Sequence, residues 1–142
     1  MPHSLESQLL LLFRATKQRL QAIAERQSLT FPQLIALFRL YRDGTMTMSD
    51  LSAQLGVTRG ALTGLVDRLE ENGLVARRPD HSDRRVIHLA LTAEGRQAMA
   101  DFERDWRQDV QNWLAPLDDA TRLGFTKGLE ALVATEAPHV PE

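Results

Sequence analysis

Two clusters of side chains carry the chemistry this sequence offers. In the first, Arg59, Gly60, Thr63, Gly64, Asp67 and Arg68 recur at helical spacing, opposite Leu62, Leu65, Val66 and Leu69. Guanidinium groups and hydroxyls on one exposed helical face suit contact with a polyanion, through phosphate oxygens or base edges. Glycine inside a helix costs ~1 kcal/mol relative to alanine, and close approach to a groove wall is one reason for two of them on an exposed face. The second cluster, Asp83-Arg84-Arg85, ends a polar run that begins at Pro79. Asp83 is placed to pair with an arginine and fix its guanidinium. An arginine on such a loop suits the negative potential of a narrow, A·T-rich minor groove.

Other chemistries find no support. With no cysteine, a thiol nucleophile, a disulfide framework and a thiol-based redox switch are excluded. His3, His81, His88 and His139 are scattered, without an i, i+4 pair or an acidic third ligand, so no metal site is expected. A Gly-rich phosphate loop, a Gly-x-Ser-x-Gly elbow and a carboxylate pair on a pocket scaffold are all missing. The chain reads as a binding protein with no cofactor, not as an enzyme.

The elements that must hold the two clusters are legible in the periodicity. Leu5, Leu9, Leu12, Phe13, Thr16, Leu20 and Ile23 form a helical stripe capped by Ser4, and its roughly 20 residues reach ~30 Å. Thr30-Phe31-Pro32-Gln33 reads as a capping box opening a second helix, with Leu34, Leu37, Phe38 and Tyr41 on its buried face and Asp43-Gly44 at its end. Two short helices follow, about Ser49–Leu55 and Arg59–Asn72, joined by Gly56-Val57-Thr58. Ser52 and Gly56 are the small pair expected at their crossing, and Leu51, Leu55, Val57, Leu62 and Leu65 are their expected shared core. Thr58 caps the second of them and Asn72-Gly73 stops it. Leu74–Arg78 and Arg85–Leu91 are strand-like and form a hairpin with an exposed tip. Thr92 then caps a long helix carrying Met99, Phe102, Trp106, Val110 and Trp113, which Pro116 ends. Asp118 opens a last helix with Phe125, Leu129, Leu132 and Val133 on one face, and 137–142 is expected to fray.

The chain has 142 residues, 43% hydrophobic and 25% charged, as expected of one globular domain. Apolar runs such as Leu9–Phe13 stop far short of the ~20 residues needed to span a bilayer. The start lacks a secretory pattern, and a cytoplasmic location is expected. The net charge of −2 hides a polarity: residues 1–92 carry twelve basic against nine acidic side chains, and residues 93–142 carry five against ten.

Val57-Thr58, the run Ala61–Glu70, Gly73–Arg77, Asp83-Arg84-Arg85 and Leu91–Gly95 together resemble, in order, the MarR family of winged-helix transcription factors. The resemblance implies a mainly α fold, a winged helix-turn-helix with a two-stranded β wing and long N- and C-terminal dimerisation helices. On that pattern residues 1–142 form a single domain, with about 1–30 and 115–142 for dimerisation, about 34–92 as the winged helix-turn-helix and about 93–115 as a linking helix. It implies a homodimer that binds a palindromic double-stranded operator and regulates transcription, as a repressor released by a small phenolic or lipophilic ligand. Carried over by position, Thr58, Arg59 and Thr63 are the major-groove or phosphate contacts, with Arg68 on the same face. Arg85 becomes the wing-tip arginine entering the minor groove and Asp83 its orienting partner. Arg84 and Arg77 are further candidates for phosphate contact or wing stabilisation. Gly64 departs from the larger polar residues often found there, which shifts part of the expected sequence preference to DNA shape. Trp106 and Trp113 read as core or dimer packing and Met46 and Met48 as gap-fillers, so no ligand residues are assigned. Two alternatives stand beside this reading: a winged-helix dimer acting through protein contacts on its acidic C-terminal half, and a metal-dependent regulator.

Overall fold

The computed structural model describes residues 3–136, so the tail expected to fray, with His139, lies outside the described residues. Its contacts divide the chain into two compact units, Met1–Trp106 and Arg107–Glu142.

The first unit opens with α1 (Leu5–Arg26), where Ser4 Oγ accepts from the Ser7 N–H at 3.3 Å. Only its C-terminal end is buried, at Ile23 and Ala24. The capping box of α2 (Phe31–Asp43) forms as expected: Thr30 Oγ1 accepts from the Gln33 N–H, and the Thr30 N–H donates to Gln33 Oε1. Its buried face is rotated from the expected one. Gln33, Leu34, Ala36, Leu37 and Leu40 face the core, Tyr41 is half-buried, and Phe38 is exposed.

A two-residue strand, β1 (Met46–Thr47), comes next, then α3 (Met48–Leu55) and α4 (Arg59–Glu71). Thr47 and Thr58 cap these helices by accepting from the Asp50 and Ala61 N–H groups. Leu51 and Leu62 are fully buried where the helices meet, and Leu55 and Leu65 pack against them. Val57, expected in that core, is exposed. Gly56 also serves a different purpose from the one expected. A Cβ there would meet nothing within 4 Å, and the position instead requires the left-handed φ of +65° that ends α3.

The wing is β2 (Val75–Pro79) and β3 (Ile87–Leu91), antiparallel, with Val75 opposite Leu91 and Pro79 opposite Ile87. The expected two-stranded wing is extended to three, because β1 pairs with the other edge of β3, Met46 opposite Leu89. That pairing buries Met46, and Met48 is buried beside it. Next, α5 (Ala93–Leu114) starts at Thr92, whose Oγ1 accepts from the Gly95 N–H at 3.0 Å. Met99 and Phe102 enter the core of the first unit and Trp106 packs at its edge.

The second unit holds the end of α5 and α6 (Asp119–Thr135), capped by Asp118. Arg122 ties its connection together by donating to the carbonyls of Leu114 and Leu117. None of the described residues of α6 is buried, and Leu123, Leu129, Leu132 and Val133 are exposed. The N-terminal half of α1 shares this property, with Leu10 at 70% exposure alongside Leu5, Leu9, Leu11 and Phe13.

Gly95 is buried in the first turn of α5, where a Cβ would fall inside contact distance of the Leu74 carbonyl oxygen and 3.3 Å from Leu91 Cδ2. Backbone cannot yield as a side chain does. Gly95→Ala is expected to destabilise the fold by about 3 kcal/mol, the upper end of ordinary overpacking costs, read as a lower urea midpoint at unchanged slope. Gly64→Ala, at a helical position open for 4 Å around, serves as control and gains up to about 1 kcal/mol.

Candidate nucleic-acid interface

The outward face of α4 is the one the sequence pattern defines: Thr58, Arg59, Gly60, Thr63, Gly64, Asp67 and Arg68 are all exposed. Arg59 is not loose on that face, because its Nη1 donates to Ser49 Oγ in the first turn of α3 at 2.8 Å. Thr63 Oγ1 donates to the Arg59 carbonyl at 2.8 Å, which leaves its lone pairs and methyl group outward. Gly60 and Gly64 flank a cleft of about 320 Å³ that Arg68, Thr30 and Gln33 also line.

Arg77 sits differently from the other arginines. Its Nη2 lies 2.6 Å from Asp67 Oδ1 and its Nη1 3.0 Å from Glu70 Oε1, while its N–H donates to Glu70 Oε2. The side chain is 24% exposed. Of the two roles the sequence leaves open for it, the geometry fits wing stabilisation: the guanidinium clamps β2 to α4. The same clamp neutralises Asp67, a carboxylate on the exposed face of α4 that would otherwise repel phosphate.

The loop from Asp80 to Val86 is built from local hydrogen bonds. The Asp80 N–H donates to the Val86 carbonyl at 2.9 Å and the Val86 N–H to the Asp83 carbonyl at 3.0 Å. Asp83 receives the Arg85 guanidinium on both oxygens, Nε to Oδ1 at 3.1 Å and Nη2 to Oδ2 at 3.3 Å, and also the Arg85 backbone N–H. These bonds hold the Asp83 carboxyl below the usual carboxylate range. The Arg85 side chain is 91% exposed, so the arginine is oriented by Asp83 without being buried. Arg84 is exposed beside it. Arg85 and Arg59 line one cleft of about 260 Å³ with Thr47, Ser49, Asp50 and Ile87, which brings the loop arginine and the first turn of α4 to a common side.

Several contributors escape sequence reasoning. Ser49 and Glu70 enter as partners of Arg59 and Arg77, and nothing in their spacing singles them out; Asp67 is on the face the spacing defines, but its pairing with Arg77 is not readable there. Asp80 carries a local signal, since an aspartate after Pro79 favours an Asx turn. Its Oδ2 accepts from the Ser82 and Asp83 N–H groups, and its Oδ1 lies 2.8 Å from His88 Nε2. The His88 contact and the two backbone bonds lower the Asp80 pKa from an ordinary 3.8 to about 2.

Comparison with known proteins gives the family of the chain. Residues 29–87 match the sequence profile described as the MarR family. A Bacillus subtilis protein described as an uncharacterized HTH-type transcriptional regulator, YsmB, is 30% identical over 116 residues, covering 82% of this chain and 80% of that protein. The HTH-type transcriptional repressor MdtR of the same organism is 37% identical over 84 residues, 59% of this chain and 54% of the repressor. Among solved structures, a MarR family protein from Bacillus stearothermophilus superimposes with a TM-score of 0.84 at 30% identity, covering 94% of each chain.

The Arg77 clamp yields a direct test. Arg77→Ala is expected to lower stability by about 1 kcal/mol, since the pairs are partly exposed and surface ion pairs contribute little each. The loss shrinks as salt rises. Arg77→Lys recovers only part of it, because an ammonium lacks the fork that reaches both carboxylates. Urea titrations at low and high ionic strength check all three.

Proposed function

The chain belongs to the MarR family of winged-helix transcriptional regulators, and from that premise we propose that it acts as a homodimeric repressor of a palindromic operator, released by a small phenolic or lipophilic ligand. The observation that carries the reading is the pairing of an outward cationic face on α4 with an exposed arginine whose guanidinium Asp83 holds in place. In this reading α4 enters the major groove, with Thr58, Arg59, Thr63 and Arg68 contacting phosphates or base edges. Arg85 enters the adjacent minor groove and Arg84 contacts phosphate. Asp83 and Arg77 work indirectly, the first by orienting Arg85 and the second by fixing the wing on α4.

The homodimer is supported by the apolar side chains that the single chain leaves exposed on the first half of α1 and along α6. Segments 1–30 and 115–142 of two copies supply the dimer contact, 34–92 the winged helix-turn-helix and 93–115 the link. Action on DNA assigns the protein to the cytoplasm. The repressor assignment follows the similarity to MdtR, whose name gives that role, and the ligand class follows the family resemblance.

Release works through a population shift. Two half-sites one helical turn apart, ~34 Å, demand a fixed separation of the two α4 helices. A ligand that prefers a dimer with another separation therefore lowers DNA affinity.

Fluorescence anisotropy on DNA from upstream of the protein's own gene, against scrambled DNA, tests the core of the reading. Specific binding at dimer stoichiometry is expected, weakening with salt at a log–log slope of about −0.9 per neutralised phosphate. Arg85→Ala is expected to weaken specific binding about tenfold or more, in line with the ~1–3 kcal/mol of a specifying arginine, at unchanged stability. Equal affinity of wild type and variant would favour action through protein contacts. For any compound that releases the DNA, the ligand dissociation constant measured with and without saturating operator must change by the same factor as the operator affinity. An unchanged constant would reject release by that compound.

A further inference from the structure

His88 lies in the middle of β3, paired with Arg78 of β2 on one side and Thr47 of β1 on the other. The alternation along β3 buries Leu89 and Leu91, which turns His88 to the opposite face of the sheet. Its side chain is one-third exposed, as is that of Asp80, and the two meet at 2.8 Å. The charged groups facing the ring are therefore Asp80 from the loop and Arg78 across β2, with Thr47 neutral on β1.

Asp80 relays that contact. One carboxylate oxygen takes the imidazole and the other takes the Ser82 and Asp83 N–H groups. Asp83 in turn holds Arg85. A continuous chain of hydrogen bonds thus joins a ring anchored in the sheet to the exposed guanidinium. We propose that His88 is a positioning residue for DNA binding, acting through Asp80 and Asp83 on Arg85, and that protonation of its ring tightens the complex. The inference rests on the reading of Arg85 as the wing contact.

The direction follows from the charges. Asp80 stays ionised throughout the range in which histidines change charge, about pH 5 to 8. With Nε2 carrying its hydrogen, a neutral ring already donates to that carboxylate. A protonated ring makes the same bond charge-assisted, and such bonds are roughly twice as strong. The proton also cancels the charge of Asp80 on a surface that meets phosphates. Both effects favour the protonated ring in the complex, so affinity is higher at acidic pH and falls toward alkaline pH.

The test uses full-length protein and two readouts. Operator affinity by anisotropy, measured from pH 5.5 to 8.5 at fixed salt, is expected to weaken about tenfold across the range as the charge-assisted bond is lost. His88→Gln, which keeps a neutral donor, flattens this dependence. Asp80→Asn does the same and remains informative where His88→Gln folds poorly. His81→Gln leaves the slope in place, which separates His88 from the neighbouring exposed histidine. The second readout needs no DNA: the amide resonances of Ser82, Asp83 and Arg85 are expected to move with pH together with the ring resonances of His88. Flat loop amides across pH 5 to 8 would overturn the proposal whatever the DNA result. A pH slope that survives His88→Gln would overturn its DNA half. Titrating amides in a protein that binds no DNA specifically would reject the wing reading while sustaining the relay.

Discussion

The carbonyl oxygen of Leu74 accepts the Thr92 N–H at 3.1 Å, and Thr92 Oγ1 accepts the Gly95 N–H while donating to the Gly73 carbonyl. Three elements are joined there within a few residues: the end of α4, the base of the wing and the start of α5. The junction forms only because Gly73 adopts a φ of +74°, which lets Leu74 N–H return to the Leu69 carbonyl and end α4, and because Gly95 has no side chain to hold α5 off the Leu74 backbone. From that junction the register of β2 on β3 follows, and with it the height of the wing loop beside α4. The positions of Arg59 and Arg85 are thus set by backbone groups distant from both.

Around this frame, charge is partitioned so that a chain of net charge −2 still presents a cationic face. Asp67 and Glu70 are paired with Arg77, Asp80 with His88, and Asp83 with Arg85. Each of these carboxylates lies on α4 or the wing loop, and each is engaged by a donor instead of facing outward alone. Local field, not net charge, governs approach to a polyanion, and the residues that set it here are Arg59, Arg68, Arg84 and Arg85.

What the sequence made legible was what local rules control. Thr30 with Gln33, Thr58, Gly73 and Asp118 mark helix ends through hydrogen bonds made within three or four residues, and each cap forms as expected. The strand β1 was not legible because two residues carry no alternation; Met46 and Thr47 are extended only because β3 offers an unpaired edge. Phe38 and Leu40 were exchanged for a similar reason, since two apolar residues two apart on a helix face different sides and only tertiary packing chooses between them. On the interface, Asp83 beside Arg85 is readable because the partners are neighbours. Arg77 with Asp67 and Glu70 is not, because the contact depends on how β2 returns along α4.

The way Arg85 is held explains why the wing uses an arginine strapped on the surface instead of a buried one. A guanidinium has five donors in a fixed fork, and Asp83 takes the Nε edge and one Nη2 hydrogen. The Nη1 end stays open for an external acceptor. Arginine carries ~2 kcal/mol of rotamer entropy, and the strap removes part of that freedom in the free protein, so any contact made through Nη1 costs less ordering. It also lowers the net charge of the tip, which weakens indiscriminate attraction to phosphate and leaves the directional contact intact. Such an arrangement favours directional contact over simple adhesion. It works only while the loop that carries Asp83 holds its shape, and that loop has no apolar core. Its order comes from the bonds that converge on Asp80, one of which is anchored in the sheet at His88.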